Sequence, residues 1–172
     1  MVQYVFPPAL PGEDSYYSSI SDFPSNLGPP QGMIWQILSA KIHFSIDLAE
    51  TGLRRLSLIG QSTIYGNFQV LLAMVAGDVT TAGTGNGGID GVGVLQSPYP
   101  LLEGFANNIL GNGDGGSSDF TQYAPIINLN KAYLFPGTKL TVLGTLAGTD
   151  EFNVRFTYLE WGRDEFLEKI RP

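Results

Sequence analysis

"IWQILSAKIHFSIDLAETGLRRLSLIG" (residues 34–60) decides the fold. Ile34, Leu38, Ala40, Ile42, Phe44 and Ile46 recur on one parity, and Ser39, Lys41, His43 and Ser45 on the other. Alternation over this length predicts a strand with one buried and one wet face. "DLAETG" then gathers turn-forming Asp, Thr and Gly. "LRRLSLI" resumes the alternation, with Leu56 and Leu58 inward and Arg55 and Ser57 outward. Arg54 and Arg55 therefore point to opposite faces and cannot clamp one anion. One reaches solvent. The other is expected to pair with an acid at the neighbouring turn, Asp47 or Glu50, making this stretch a corner of a β-sandwich and not a catalytic loop.

The pattern recurs downstream. "FQVLLAMVAG" is more continuously apolar, which predicts cover on both faces, within the domain or at a subunit contact. "KAYLF" and "KLTVLGTL" read as strands, the latter with Leu140, Val142 and Leu146 on one face. "EFNVRFTYLEW" alternates Phe152, Val154, Phe156 and Tyr158 against Asn153, Arg155 and Thr157, completing a hairpin. Residues 77–93 carry seven glycines and predict a long surface loop, followed by a short strand near "VGVLQ". A second glycine-rich loop is expected at 111–119. About seven strands with turn-rich connections predict an all-β protein, a single β-sandwich and most simply a jelly roll.

Three segments follow. Residues 1–32 hold six of the eleven prolines, interleaved with Tyr4, Phe6, Tyr16, Tyr17 and Phe23. Proline cannot donate to a ladder, so this is an extended N-terminal arm, docked on its own domain or on a neighbour. Residues 33–162 form the sandwich. Residues 163–172 form a short helical tail, with Phe166, Leu167 and Ile170 on one side.

Composition narrows the function. The 172 residues suffice for one core without staples. There is no cysteine and one histidine, which removes thiol catalysis, disulfides and multi-histidine metal sites. A net charge of −7 with nine scattered basic residues argues against nucleic acid. No apolar run is long enough for a membrane helix, and the N-terminus lacks the pattern of a secretory signal.

The candidate chemical motifs are weak. Gly83, Gly85 and Gly88 match G-x-G-x-x-G, but "IDGVGV" is a poor helix start for holding a phosphate. "GNGDGG" (111–116) supplies too few oxygens for calcium. His43 has no nucleophile motif beside it. Asp47, Glu50, Asp150, Glu151 and Glu160 could make a carboxylate pair only at a separation the sequence does not contain. Trp35, Tyr158 and Trp161 flank core strands, as packing residues or as a sugar platform. No catalytic residue, cofactor or metal is expected, and the chain is read as a non-enzyme.

Two blocks carry a resemblance. "IWQILSAKIHFSIDLAETGLRRLSL" (34–58), through Trp35, Leu38, Ser39, Ala40, Asp47, Gly52 and Arg54, resembles the opening of small β-sandwich virion proteins of tailed bacteriophages. "LFPGTKLTVLGTLAGTDEFNVRFTYLEW" (134–161), through Pro136, Gly137, Gly148, Asp150, Glu160 and Trp161, resembles their close. The resemblance implies a structural virion protein of the capsid cement or decoration type, located on the capsid surface. It implies two partners, the major capsid protein and the chain itself as a homotrimer, without nucleic acid or membrane. Tyr4, Phe6, Tyr16, Tyr17, Phe23 and Trp161 are the candidate interface residues. The alternatives are another virion part (collar, tail or head fibre) and a carbohydrate- or receptor-binding module.

Overall fold

The computed structural model describes residues 3–5 (backbone only), 16–62, 64, 68–95, 120–130 and 132–171. These contain strands β1 (Gln3–Val5), β2 (Met33–Asp47), β3 (Gly52–Ser62), β4 (Phe68–Val79), β5 (Asn86–Val94), β6 (Phe120–Tyr123), β7 (Ile126–Asn128), β8 (Tyr133–Leu134), β9 (Thr138–Gly144) and β10 (Glu151–Gly162). A 3-10 turn covers Ile20–Asp22, and helix α1 covers Arg163–Ile170. Two sheets pack face to face, as the alternation predicts. The first runs β1-β10-β2-β5-β7, with β8 also pairing β2; the second runs β6-β4-β3-β9.

The winding is a ribbon doubled over. The steps β2 to β3, β4 to β5 and β9 to β10 each leave one sheet and enter the other. As a result β10-β2-β5 lies over β9-β3-β4 in matching order. Side chains alternating inward from both layers fill the core. Phe44, Phe120, Phe152 and Phe156 are its largest rings, among Ile42, Ile46, Leu56 and Leu58.

Two bulges modify the alternation. Thr157 pairs with Ser39 but Tyr158 with Ile37, so Leu38 is the extra residue on β2. One inserted residue flips every position beyond it. Ile37 and Trp35 therefore face the core instead of Leu38, which stays half-buried. Trp35 stacks on Tyr158 with ring centroids 4.1 Å apart. In the second sheet Leu58 pairs with Ala73 but Ile59 with Leu71, which makes Leu72 the extra residue.

The glycine-rich stretch corrects one expectation. It is not a long loop: Gly77 lies within β4, and 86–94 form β5, paired with β2 from Asp47↔Asn86 to Ser39↔Val94. Here the two sheets approach backbone to backbone. A Cβ on Gly91 or Gly93 would collide with the carbonyl oxygens of Met74 and Leu72. The glycines are a packing requirement, the close-approach use of glycine in strands. The predicted 111–119 loop lies outside the described residues.

Residues 16–32 wrap the domain. Tyr17 and Phe152 exchange backbone hydrogen bonds of 2.8 and 3.0 Å, and Leu140 N donates to Leu27 O at 2.7 Å. The segment thus ties β10 of one sheet to β9 of the other, covering two edges that would otherwise invite pairing. In the tail, Phe166 is buried against Tyr133 and Phe135, but Leu167 and Ile170 remain exposed.

Candidate functional surfaces

Three surfaces hold the chain's concentrated chemistry. The first is the corner raised by the two arginines. Arg54 points inward and is 3% exposed. Its partner is Asp150, 2% exposed, and not the carboxylates of Asp47 or Glu50. Nε lies 3.0 Å from Asp150 Oδ2, though its N–H is not aimed along the contact. The guanidinium donates instead to backbone: Nη2 to Asp47 O at 2.6 Å, Nη1 and Nη2 to Glu50 O at 2.9 and 2.8 Å.

The carboxylates are equally committed. Asp150 accepts from Asp47 N at 2.7 Å and Ala147 N at 2.8 Å. Asp47 accepts from Ala49 N, Thr149 N and Thr149 Oγ1, each at 2.9 Å. Gly148, at φ +54, leaves room for that carboxylate. The Thr149 and Ala49 amides hold Asp47 below its ordinary pKa. Burial lifts Asp150 above its own, against the pull of the Asp47 and Ala147 amides and of Arg54. These hydrogen bonds tie the β2–β3 turn to the β9–β10 turn.

The second surface is the outer face of the first sheet. His43 Nδ1 meets Asp90 Oδ1 at 2.6 Å, and Lys41 Nζ meets Asp90 Oδ2 at 3.0 Å. Burial raises the Asp90 pKa, but hydrogen bonds from His43 and Lys41 outweigh it and leave the carboxyl lowered. Ser39 bonds Thr157 at 2.5 Å and Asn86 bonds Ser45 at 3.0 Å. An Asp–His pair becomes catalytic when the imidazole's other nitrogen activates a hydroxyl or thiol. The Tyr16 ring lies T-shaped to that of His43, centroids 5.9 Å apart, and Gly88 lies close beside the imidazole. These pairs zip neighbouring strands across a hydrated face.

The third surface is the outer face of the second sheet, where apolar side chains stand among Arg55, Gln69, Asp78 and Lys139. Leu53, Leu71, Tyr123 and Leu143 are all exposed there. Cover on both faces was expected for "FQVLLAMVAG", within the domain or at a subunit contact; in the structure its outward Leu71 is exposed.

The candidate interface residues scatter. Tyr4 lies on β1, paired with Leu159 of β10. Phe6 lies outside the described residues. Tyr16 is half exposed over His43. Tyr17 packs on Phe23 and Phe152, at 5.7 and 5.3 Å, and burial raises its pKa. Phe23 is 6% exposed and belongs to the chain's own core. Trp161 donates to Gln36 Oε1 at 3.2 Å, and Lys169 Nζ lies 4.1 Å from its ring centre. Trp35 is 4% exposed, while Trp161 is half-buried under Lys169. Gly83, Gly85 and Gly88 precede or enter a strand, not a helix. Among the described residues no three His, Asp or Glu side chains gather at metal-binding spacing.

Compared with known proteins, the chain matches no family model, no curated protein and no solved structure.

Proposed function

We propose that this protein is a structural component of a tailed-phage particle, a cement or decoration protein that binds the outer surface of the head and joins neighbouring capsid subunits. One observation carries the reading. The two blocks that resemble such proteins are some hundred residues apart, yet their shared residues meet. Trp35 Nε1 donates to Glu160 Oε2 at 2.8 Å, and Arg54 pairs with Asp150. Asp47 accepts from the Thr149 amide beside Gly148. The pattern that carries the resemblance is therefore one interlocked structural unit, which is what a frame-preserving signature should be.

The physical design agrees with the proposal. The corner spends its polar groups on rigidity, and the N-terminal segment binds strand edges. Repeated copies on a symmetric lattice multiply weak contacts into avidity. A homotrimer is the closed arrangement such a site on a head would take. The test is co-sedimentation of the purified protein with phage heads from lysates of the bacterium that carries the gene, followed by immunogold labelling. Label distributed over the head is the expected result. Label confined to the collar, tail or fibres would replace the cement reading with another virion role. Particles without the protein would overturn both.

A further inference from the structure

We propose that residues 16–32 are a strap that opens as one unit while the sandwich beneath stays folded, uncovering one edge of each sheet. The first observation is where its hydrogen bonds go. Phe152 N donates to Tyr17 O at 3.0 Å, and Leu140 N donates to Leu27 O at 2.7 Å. Phe152 lies on β10 and Leu140 on β9, strands of different sheets, each on the side away from β2 or β3. The strand β1 covers that edge of β10 only from Tyr158 to Glu160. One segment therefore closes an edge of both sheets. Lifting it bares backbone N–H and C=O groups on each, the condition in which an edge can recruit another strand.

The second observation is how lightly the strap is held. Pro24, Pro29 and Pro30 have no N–H to contribute. Of its three aromatic rings only Phe23 is buried. The Tyr17 hydroxyl is buried with no hydrogen-bond partner among the described residues. A hydroxyl shut away unpaired opposes closure, and opening returns it to water. Segments with few buried apolar contacts are the ones that open below the global unfolding free energy.

The third observation is that the strap has a hinge, a latch and a stiff link. Gly32, at its C-terminal end, has φ +79 and open space where a Cβ would stand. Glycine adopts that conformation freely. Gly28 is the latch: it passes so close to β9 that a Cβ would collide with the Thr138 carbonyl oxygen. The 3-10 turn at Ile20–Asp22, capped by Ser19, joins Tyr17 to Phe23. Their rings lie 5.7 Å apart and 5.3 and 6.4 Å from that of Phe152. The two ends of the strap are thus coupled through one small aromatic cluster.

The inference rests on these contacts and not on the particle reading. Native-state hydrogen exchange of the full chain tests it. The Phe152 and Leu140 amides are expected to exchange together, about tenfold or more faster than the Ile42 and Phe44 amides in the centre of β2. Their exchange should also depend only weakly on urea, because little surface is exposed. Gly28→Ala should speed both about tenfold, and Tyr17→Phe should slow both about fivefold. Protection of Phe152 and Leu140 equal to that of Phe44 overturns the inference, since the strap would then open only with the whole domain. A Gly28→Ala effect confined to Leu140 also overturns it, since the two ends would move independently. Should that variant fail to fold, Tyr17→Phe reads the same coupling: slowing confined to Phe152 overturns the single unit, and slowing that reaches Leu140 supports it.

Discussion

Replacing Arg54 by Met tests whether the corner is a load-carrying tie. The side chain is 3% exposed, so methionine keeps its volume while removing the charge. What it leaves behind sets the magnitude. The Glu50 and Asp47 carbonyls lose donors at 2.6–2.9 Å, but Glu50 is exposed and water can reach its turn. Asp150, 2% exposed, has no such recourse. Removing one partner of a buried pair costs about 3–5 kcal/mol, against about 1 kcal/mol or less for a surface pair. For a chain of this size that lowers the thermal midpoint by roughly 6–20 °C. Urea titration of wild type, R54M, D150N and the double variant gives the coupling. The double variant should cost less than the two singles together, because neither charge is stranded. The sign with pH is also set. In R54M the Asp150 carboxyl is raised above its unfolded value with no cation to oppose burial. That variant's stability is fully present below about pH 4 and falls as pH rises through the folded value. The deficit against wild type should therefore widen from pH 4 to 7. A loss under 1 kcal/mol, or strict additivity, refutes the tie.

Three further outcomes are expected. Phe156→Ala should cost about 3–5 kcal/mol in urea unfolding, because the ring is 2% exposed between the sheets; a loss below 1 kcal/mol would reassign the inward face of β10. Truncation of residues 1–32 should keep the β-rich circular dichroism signal yet lose the Phe23 burial of about 1.5–3 kcal/mol, a drop of roughly 3–12 °C; truncation of 1–15 alone, which leaves Phe23 and Leu27 in place, should be much milder, and equal drops would contradict the wrap. Asp47→Asn should cost more stability at pH 7 than at pH 3. The lowered Asp47 pKa contributes stability above the unfolded value, near pH 4, and loses it as pH falls through the folded one; a gap of constant size at both pH values would mean the Thr149 and Ala49 amides do not hold it.

Much of the fold was legible because a strand's side-chain period is short and local. Ala40, Ile42, Phe44 and Ile46, and the Phe152 to Tyr158 series, lie inward as their parity predicts. Leu38 was misplaced because a bulge is a relation between strands: nothing in "QILSA" marks which residue goes unpaired. The glycines of β5 misled for a related reason. Alone they read as loop. Opposite the Met74 and Leu72 carbonyls they are the residues that let two sheets touch. The Arg54 partner shows the same limit. The sequence placed one arginine inward and nominated nearby acids, while the acid that answers is 96 positions away, brought there by β9–β10 lying beside β3–β2.

What was legible of function follows the same division. A surface built from one strand's own residues leaves a local trace: β4 is apolar on both parities, with Leu72, Ala73 and Val75 inward and Leu71 outward. A site assembled from separated strands leaves only residue types, as at the corner, where Asp47, Arg54 and Asp150 looked like solvated turn residues or catalytic candidates. Their hydrogen bonds are directed at turns and their charges at each other. Together they stiffen one corner, while Leu53, Leu71 and Leu143 stand exposed on the outer face of the second sheet. The assembly role proposed above would draw on that stiffness, because a subunit that joins its neighbours must hold its shape.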